Sequence, residues 1–256
     1  QNRSKIKQVL IKLNEDQKVS SSYTNHSNTV HYNAPKNLQE LAKVLNKNPE
    51  AKIIAAGTDL SLEITQSLQE FSHIVNVTSV KELQAISDSH SELEIGSAVT
   101  YSDASASLFN YWPDLESFLH RFGSLPIRNW ATIGGNIANA SPIGDMSPVL
   151  IALEAELKLR KNSNVRLVKL EDFFVSYRKT KLTKGEFIES IVIPKPTGKE
   201  QLITHKISKR YEDDISAVCM AINIAFSGDQ PKSIRIALGG MSGIPQRAHQ
   251  LEKALI

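Results

Sequence analysis

The 256-residue sequence predicts an α+β protein built in two parts. In the first part, helix and strand patterns alternate: 37–49 has apolar residues at helical spacing, and 51–60 and 73–77 are typical of short buried strands. In the second part, strand patterns follow one another, starting with an alternating hairpin over 156–170. The stretch PKPTGKE interrupts these patterns, so we place the boundary between the two parts near 194–198.

The remaining elements of the first part each have a local signal. Asn37 is the expected N-cap of the first helix. A third strand is predicted over 92–99. Thr100 followed by Asp103 matches a capping box, which predicts a helix through about residue 109. A further helix over 113–123 ends at its final glycine.

The second part contains three more strand patterns and a last helix. The hairpin turns around its Asn-Ser pair, and apolar residues then dominate 186–194, 217–226 and 233–240. A helical pattern begins at about Gln246 and runs to the end of the sequence. We therefore expect an antiparallel sheet with a helix in this part.

The composition excludes several classes of function. The formal net charge is +3 and the basic residues are spread along the chain, which argues against nucleic-acid binding. No apolar run reaches the roughly 18–20 residues that span a bilayer, and the start lacks a signal-peptide pattern, so we expect a cytoplasmic protein without a membrane partner. Cys219 is the sole cysteine, and the seven histidines lack metal-site spacing, so no metal site is predicted.

Both ends of the sequence suggest a piece of a longer polypeptide. The first residue is Gln, and the last helical pattern stops without a cap. Residues 12–29 are polar and lack either hydrophobic period, so 1–29 is predicted to be a linker or N-terminal extension.

Two glycine-containing stretches are the candidates for ligand binding. In AAGTDL (55–60), Gly57 would let the backbone approach an anion closely, and the Thr58 hydroxyl adds a donor. In TIGGNIANASPIGDMSPVLIAL (132–153), we expect a tight turn over 134–136. Neither stretch matches a nucleotide-binding motif, and a glycine pair taken alone is more often structural than ligand-binding.

The second stretch contains two further features. Ser147 followed by Pro148 is typical of an N-cap with proline in the first turn, and a helix N-terminus favours a nearby anion. Asp145 would repel a phosphate, so beside a cofactor it would instead accept hydrogen bonds from backbone amides, ribose hydroxyls or a ring N–H. On its own it is interpreted as a turn aspartate or a helix-start charge. No nucleophile or acid/base pair is identified by spacing, which favours chemistry carried out by a cofactor.

The order of these stretches closely resembles one family. AKIIAAGTDL, FGSLPIRNWATIGGNIANASPIGDMSP, YRKTKLTKGEFIESIVIP, KRYEDDIS and RIALGGMSGIPQRA follow one another over about residues 30–256. Together they resemble the FAD-binding portion of the molybdenum hydroxylases, which include xanthine dehydrogenase, aldehyde oxidase and aerobic carbon monoxide dehydrogenase. The form NIANASPIGDMSP is most similar to the small subunit of bacterial xanthine dehydrogenase.

This resemblance implies a fold and a set of domains. It implies a two-subdomain FAD-binding fold of the vanillyl-alcohol-oxidase (PCMH) type over 30–196. A smaller, truncated C-terminal domain of the carbon monoxide dehydrogenase flavoprotein type would follow over 197–256. The family usually has a second glycine where this chain has Ala56, a change that is tolerable if that residue needs no positive φ.

The resemblance also implies a set of FAD contacts. One segment wraps the diphosphate, a second forms another cofactor loop, an aromatic residue lies beside the adenine, and an aliphatic residue packs on the flavin. In this order they are Ile53, Ile54, Ala55, Ala56, Gly57, Thr58, Asp59 and Leu60; Thr132, Ile133, Gly134, Gly135 and Asn136; Phe122; and Ile188, with Asp145, Lys179 and Lys206 near the cofactor. The loop 208–216 corresponds to one that influences access of the electron acceptor in relatives.

The function implied by the resemblance is an electron relay. Electrons from purine oxidation at a molybdenum cofactor would pass through [2Fe–2S] clusters to FAD and then to NAD⁺. This chain lacks the cysteines for such clusters, so the clusters and a molybdopterin-binding large subunit are expected elsewhere. The alternatives are the medium subunit of a carbon monoxide or aldehyde dehydrogenase and a flavin-free structural subunit.

Overall fold

A computed structural model of the chain describes residues 20–25 and 28–256. Fifteen strands and eight α-helices, each given with its bounds, make up this part of the chain. The strands are β1 Ser20–Asn25, β2 Asn28–Asn33, β3 Lys52–Ile54, β4 His73–Asn76, β5 Ile86–Asp88, β6 Glu92–Gly96, β7 Glu156–Lys161, β8 Asn164–Lys169, β9 Phe174–Ser176, β10 Lys179–Thr180, β11 Phe187–Pro194, β12 Glu200–Ile207, β13 Val218–Ser227, β14 Gln230–Gly239 and β15 Gln246–Arg247. The helices are α1 Leu38–Lys47, α2 Leu60–Thr65, α3 Tyr101–Tyr111, α4 Leu115–His120, α5 Leu125–Arg128, α6 Ile133–Ala138, α7 Met146–Ala152 and α8 His249–Leu255.

The first subdomain is a four-stranded sheet with the strand order β1-β2-β4-β3. β1 and β2 pair antiparallel, whereas β4 pairs in parallel with both β2 and β3. α1 packs Leu41 and Leu45 into a small core with Val75 of β4. The Asn37 side chain accepts a hydrogen bond from the Glu40 backbone N–H at 2.9 Å, which confirms the predicted N-cap.

β1 lies within the segment predicted to be a linker or N-terminal extension, and its pairing contradicts a linker for 20–25 but not an N-terminal extension. The sequence SSSYTN has no apolar alternation, and its strand arises from backbone pairing with β2. Residues 1–19 and 26–27 of that prediction lie outside the described residues.

The second subdomain is a five-stranded antiparallel sheet with the order β5-β6-β11-β7-β8. Its inner face packs against α3, α4, α6 and α7 in the largest core of the described residues, which contains Leu93, Leu108 and Leu157. The capping box is confirmed: Thr100 Oγ1 accepts from the Asp103 N–H at 3.1 Å and donates to its carboxylate at 2.7 Å. The predicted hairpin is also confirmed, with Asn162 at φ +55° in its turn.

The C-terminal part is a four-stranded antiparallel sheet, β12-β13-β14-β15, flanked by α8. β12 was not predicted, although its residues alternate in burial. Cys219, Ala221 and Ala237 from this sheet lie in the same core as α7, so the sheet packs directly on the second subdomain. The structure thus confirms the predicted α+β fold, and no helix among the described residues is long and apolar enough to cross a bilayer.

Two local predictions in the second glycine-containing stretch are wrong. Residues 134–136 lie inside α6 and not in a tight turn, because the Thr132 hydroxyl caps this helix by accepting from the Gly135 N–H. Ser147 is not an N-cap, because α7 already begins at Met146 with Asp145 in the N-cap position. The Asp145 side chain makes no cap hydrogen bond.

Candidate functional site

A cleft of about 610 Å³ lies between the end of β3, α6 and the start of β11. This volume is within the range of small-molecule and cofactor sites, roughly 300–1,000 Å³. Most of the residues predicted to bind a cofactor line it: Ile53, Ile54, Ala55, Ala56, Gly57, Thr58, Asp59, Leu60, Phe122, Thr132, Gly134, Gly135, Asn136 and Ile188. The fold therefore brings together two glycine-containing stretches that are about 80 residues apart in the sequence.

The first wall of the cleft is the turn between β3 and α2. Gly57 has φ +77°, which glycine adopts without the strain that a side chain would add. Ala56 has no positive φ, so alanine is acceptable where the family usually has glycine. No backbone N–H of residues 56–59 donates a hydrogen bond within the described part of the chain. These donors are therefore free to bind an anionic group in the cleft.

The second wall is α6, and it differs from what the sequence suggested. The N–H of Gly134 donates to Ser97 O at 3.0 Å, that of Gly135 to Thr132 Oγ1 at 3.2 Å and that of Asn136 to Thr132 O at 3.0 Å. These amides are already used within the protein. A Cβ on Gly134 would lie 2.4 Å from the Ser97 Cβ, so glycine here permits close packing of α6 rather than cofactor binding by its amide.

Asn136 contributes a side chain to this second wall. Its Oδ1 atom is buried and has no hydrogen-bond partner among the described residues. A buried acceptor without a partner is costly unless a ligand or water supplies a donor. This atom lies on a residue that lines the cleft, which is where such a donor would bind.

The two side chains predicted to lie beside the rings of the cofactor are both at the cleft. Phe122 packs against Tyr101 with ring centroids 4.3 Å apart, and Arg128 donates to the Phe122 carbonyl at 3.2 Å. Ile188 is 6% exposed and is the second residue of β11. Both side chains are thus held by the core and present apolar surface to the cleft.

Asp145 and Lys206 form a buried ion pair outside the residues that line the cleft. Lys206 Nζ lies 2.6 Å from Asp145 Oδ2, and Ser216 donates to Asp145 Oδ1 at 2.5 Å. The Cys219 thiol lies 3.3 Å from the Asp145 carbonyl, and burial, with the Asp145 charge, raises the pKa of this thiol. Burial likewise raises the pKa of Tyr101, again with the Asp145 charge.

Two other predicted contacts are not among the residues that line the cleft. Ile133 is buried in the core between two lining residues. Lys179 is exposed on β10. The structure instead places its neighbour Arg178 in the cleft, together with Lys52 and Glu63. The sequence patterns did not identify these charged residues, because charged side chains are common on protein surfaces and carry no local signal of a binding site.

The predicted acceptor loop, 208–216, connects β12 to β13 and is held by Arg121. This side chain donates to Lys206 O at 2.5 Å and to Ser208 Oγ at 3.0 Å, and it lies 4.9 Å from the centre of the Tyr211 ring. The last residue of the loop, Ser216, donates a hydrogen bond to Asp145. The loop is thereby connected to α4 and α7.

The cleft as a whole fits a dinucleotide with a diphosphate. It offers free N–H groups on one wall, an unpaired amide oxygen on the other and apolar surface elsewhere. No group of three or more potential metal ligands occurs among residues 20–25 and 28–256. The free N–H groups, the unpaired amide oxygen and the apolar surface are suited to binding and positioning an organic cofactor.

Comparison with known proteins supports this interpretation. The sequence pattern described as the FAD binding domain in molybdopterin dehydrogenase matches residues 26–196, and the CO dehydrogenase flavoprotein C-terminal domain matches 203–256. Xanthine dehydrogenase of Drosophila subobscura is 32% identical over 244 residues, which is 87% of this chain and 18% of that protein. The chain thus spans less than a fifth of the length of this relative.

Two solved structures have a similar fold. Carbon monoxide dehydrogenase from Hydrogenophaga pseudoflava is 27% identical with a TM-score of 0.83, covering 88% of this chain and 79% of the other. Quinoline 2-oxidoreductase from Pseudomonas putida 86 is 29% identical with a TM-score of 0.81 and the same coverage.

The fold and the cleft define a flavoprotein of the two-subdomain, PCMH type followed by a small C-terminal domain. More specifically, the chain belongs to the family of FAD-binding domains of the molybdopterin dehydrogenases. Its cofactor is FAD, as the resemblance implied.

Proposed function

We propose that this chain is the FAD-binding electron-transfer module of a xanthine dehydrogenase. It would receive electrons from [2Fe–2S] clusters and pass them to NAD⁺ while hypoxanthine or xanthine is oxidised at a molybdenum cofactor. The observation that carries the proposal is the 32% identity to a xanthine dehydrogenase over 87% of the chain. The clusters and the molybdopterin would lie on a further domain or a large partner subunit in the cytoplasm.

FAD supplies the redox chemistry of this module when it is bound. The residues of the chain position it: the free amides of 56–59 would hold the diphosphate, and Asn136 Oδ1 would accept a hydrogen bond from a donor of the cofactor. Phe122 and Ile188 would hold the ring systems by apolar contact. Asp145 and Lys206, with Ser216, would hold the loop 208–216 against the body of the protein.

The domain boundaries are part of the same proposal. The FAD-binding domain would cover 30–196 and the C-terminal domain 197–256. The turn between β11 and β12, residues 195–199, is a reasonable boundary because it connects the two antiparallel sheets.

A second candidate is the medium subunit of another molybdenum hydroxylase. The similarity of the fold to carbon monoxide dehydrogenase and to quinoline 2-oxidoreductase, at 27% and 29% identity, favours this alternative. The two candidates share the FAD module and differ in the substrate oxidised and in the final acceptor.

The deciding experiment uses the complete protein and its partners, purified together. Xanthine, carbon monoxide, an aldehyde and quinoline are offered in turn, and reduction of the flavin is followed by the loss of its visible absorption. Production of NADH is then measured with NAD⁺ as the acceptor. The proposal expects flavin reduction by xanthine followed by NADH formation.

Three other outcomes are informative. Flavin reduction by carbon monoxide, aldehyde or quinoline but not by xanthine would favour the second candidate. Reduction by xanthine without NADH formation would contradict the proposed acceptor. A protein that contains no flavin and cannot be reconstituted with FAD would identify a structural subunit and exclude both redox functions.

A further inference from the structure

Arg178 is a cation in the cleft that the predicted FAD contacts do not include. It lies at the tip of the small β9–β10 hairpin, in the two-residue turn between the strands, and has φ +53°. Its own N–H donates to Ala140 O at 3.3 Å, which attaches the hairpin tip to the segment that follows α6. The backbone of Arg178 is therefore held by the second wall of the cleft.

The side chain of Arg178 crosses to the first wall. Its Nη2 atom lies 3.5 Å from Asp59 Oδ2, and its Nη1 atom lies 4.0 Å from Glu63 Oε1. Both carboxylates line the cleft beside the free amides of 56–59. One residue thus connects the two walls at the position where the turn carries its unused donors.

The guanidinium group retains its capacity to bind an anion. It is 44% exposed and, within the described part of the chain, donates no hydrogen bond, since its two ion-pair contacts are long. A guanidinium group presents several N–H donors in a planar fork that matches phosphate oxygens. Arg178 is thus positioned beside the free amides of 56–59, with its donors available to a ligand.

The charges that line the cleft require such a cation. Asp59, Glu63 and Glu186 are acidic, and Glu186 is paired with Arg166 at 2.8 Å. Lys52 lies 3.6 Å from Glu63 and offsets that carboxylate. Without Arg178, the uncompensated Asp59 would face a diphosphate that carries two negative charges of its own, and like charges at short range repel.

We propose that Arg178 binds the diphosphate of FAD, sharing its guanidinium group between the phosphate oxygens and Asp59, and so holds the two walls of the cleft together over the cofactor. This inference rests on the binding of FAD by this chain. It assigns to the β9–β10 hairpin a role in retaining the cofactor. It also predicts that loss of the Arg178 charge affects the phosphates more than the rings.

The test compares Arg178→Gln and Arg178→Lys with Lys181→Gln in the complete protein. Lys181 is an exposed cation in the segment following the same hairpin, and it does not line the cleft. Release of FAD is followed by the fluorescence of the freed flavin. We expect R178Q to release FAD about tenfold or more faster than wild type, as for loss of a charged hydrogen bond. The release rate of R178K should lie between those of R178Q and wild type, because lysine keeps the charge but lacks the planar fork of donors. The release rate of K181Q should match that of wild type.

A second measurement reports on the phosphates directly. The ³¹P resonances of bound FAD, identified by difference from the deflavinated protein, should shift in R178Q and not in K181Q. Wild-type FAD release with unshifted resonances in R178Q would overturn the role of Arg178. So would an apo R178Q that unfolds at a lower temperature than apo K181Q, because Arg178 would then act on the fold. A wild-type protein that holds no FAD would instead overturn the proposed function itself.

Discussion

Lys206 Nζ lies 2.6 Å from Asp145 Oδ2, and both side chains are almost completely buried. Asp145 immediately precedes α7, and Lys206 is on β12, so the pair joins the FAD-binding domain to the C-terminal sheet. Ser216, at the end of the loop 208–216, hydrogen-bonds the second carboxylate oxygen. The start of α7 therefore meets β12 and the loop that follows it at one carboxylate.

We predict that breaking this pair destabilises the protein strongly. Replacing Lys206 by Met leaves Asp145 as a buried charge without its cation, and such changes cost about 3–5 kcal/mol. D145N/K206M should cost less than K206M alone, because it also removes the unpaired charge. Unfolding in denaturant measures the free energy of unfolding of both variants. The control is Lys184→Ala, which breaks the exposed Lys184–Glu50 pair and should leave stability unchanged.

An unchanged unfolding free energy in K206M would contradict this assignment. Equal losses in the single and double variants would show that the cost arises from packing and not from the unpaired charge.

Replacement by alanine should have different effects at Gly57 and at Gly134, which lie on the two walls of the cleft. Gly57 has φ +77° and faces a side-chain atom, Ile54 Cδ1, at 3.1 Å from an added Cβ. G57A should therefore weaken FAD binding with a stability loss of about 1 kcal/mol from the strained φ. G134A places a Cβ 2.6 Å from Ser97 O, a backbone atom, so its main effect should be on folding.

Thermal unfolding of the apo proteins and equilibrium binding of FAD separate these effects. We expect G57A to lower FAD affinity more than melting temperature, and G134A to do the reverse. The opposite ranking would show that the amide of Gly134 and not the turn at Gly57 is the critical cofactor contact. A valine at position 134 is expected to prevent correct folding, because the contact is with backbone.

The features that could be predicted from the sequence are those determined by neighbouring residues. Asn37 and Glu40 form a cap because they are three residues apart, and the same holds for Thr100 and Asp103. Such local signals predicted most helices and strands of the second subdomain. β1 was missed because its pairing with β2, and not its side-chain pattern, makes it a strand.

The candidate site was predictable only in part. Family resemblance identified the residues of both glycine-containing stretches, and the structure brings most of them to one cleft. It could not show that the amides of 134–136 are used internally, because that depends on Ser97 and Thr132. Arg178 was missed for a related reason: its position depends on a hairpin turn with a positive φ, which arginine adopts only when the surroundings impose it.

Replacing Asn136 should lower the affinity for FAD without lowering the stability of the apo protein. Its Oδ1 atom is buried and unpaired in the absence of cofactor, so removing it should not destabilise the apo protein by loss of a hydrogen bond. N136A should therefore lower FAD affinity about tenfold with little change in apo melting temperature. Equilibrium titration of the deflavinated protein with FAD checks the affinity. Unchanged affinity would show that this oxygen is not a contact to the cofactor.

Cys219 should be inert to thiol reagents in the folded protein. Burial raises the pKa of its thiol well above the ordinary value of about 8.5. The negative charge of Asp145 adds to this effect. Mass mapping of the Cys219 peptide after alkylation at about pH 8, near the ordinary thiol pKa, should find no label until denaturant is added. Rapid labelling of the native protein would show that the C-terminal sheet opens from α7.

Acid should release α8 through Glu252. This carboxylate is 5% exposed, accepts from the Ile236 N–H at 2.8 Å and pairs with Arg247 at 2.8 Å. Burial by itself raises its pKa, but hydrogen bonds from Arg247 and Ile236 outweigh burial and lower the pKa below the ordinary value. The ionised form is thus stabilised by folding, so its contribution is present above about pH 4.3, the ordinary pKa of glutamate.

The sign of this effect is testable with a single conservative variant. Stability should fall as the pH drops through the lowered pKa of folded Glu252, because the native state must then take up a proton that the unfolded state already holds. E252Q cannot ionise and still offers an oxygen to the Ile236 N–H, so it should be less stable at neutral pH and lose less stability on acidification. Melting temperatures of both proteins, taken from neutral pH to well below about pH 4.3, the ordinary glutamate pKa, measure the difference. Parallel pH profiles for the two proteins would show that other carboxylates, such as Glu171 and Glu186, account for the acid sensitivity.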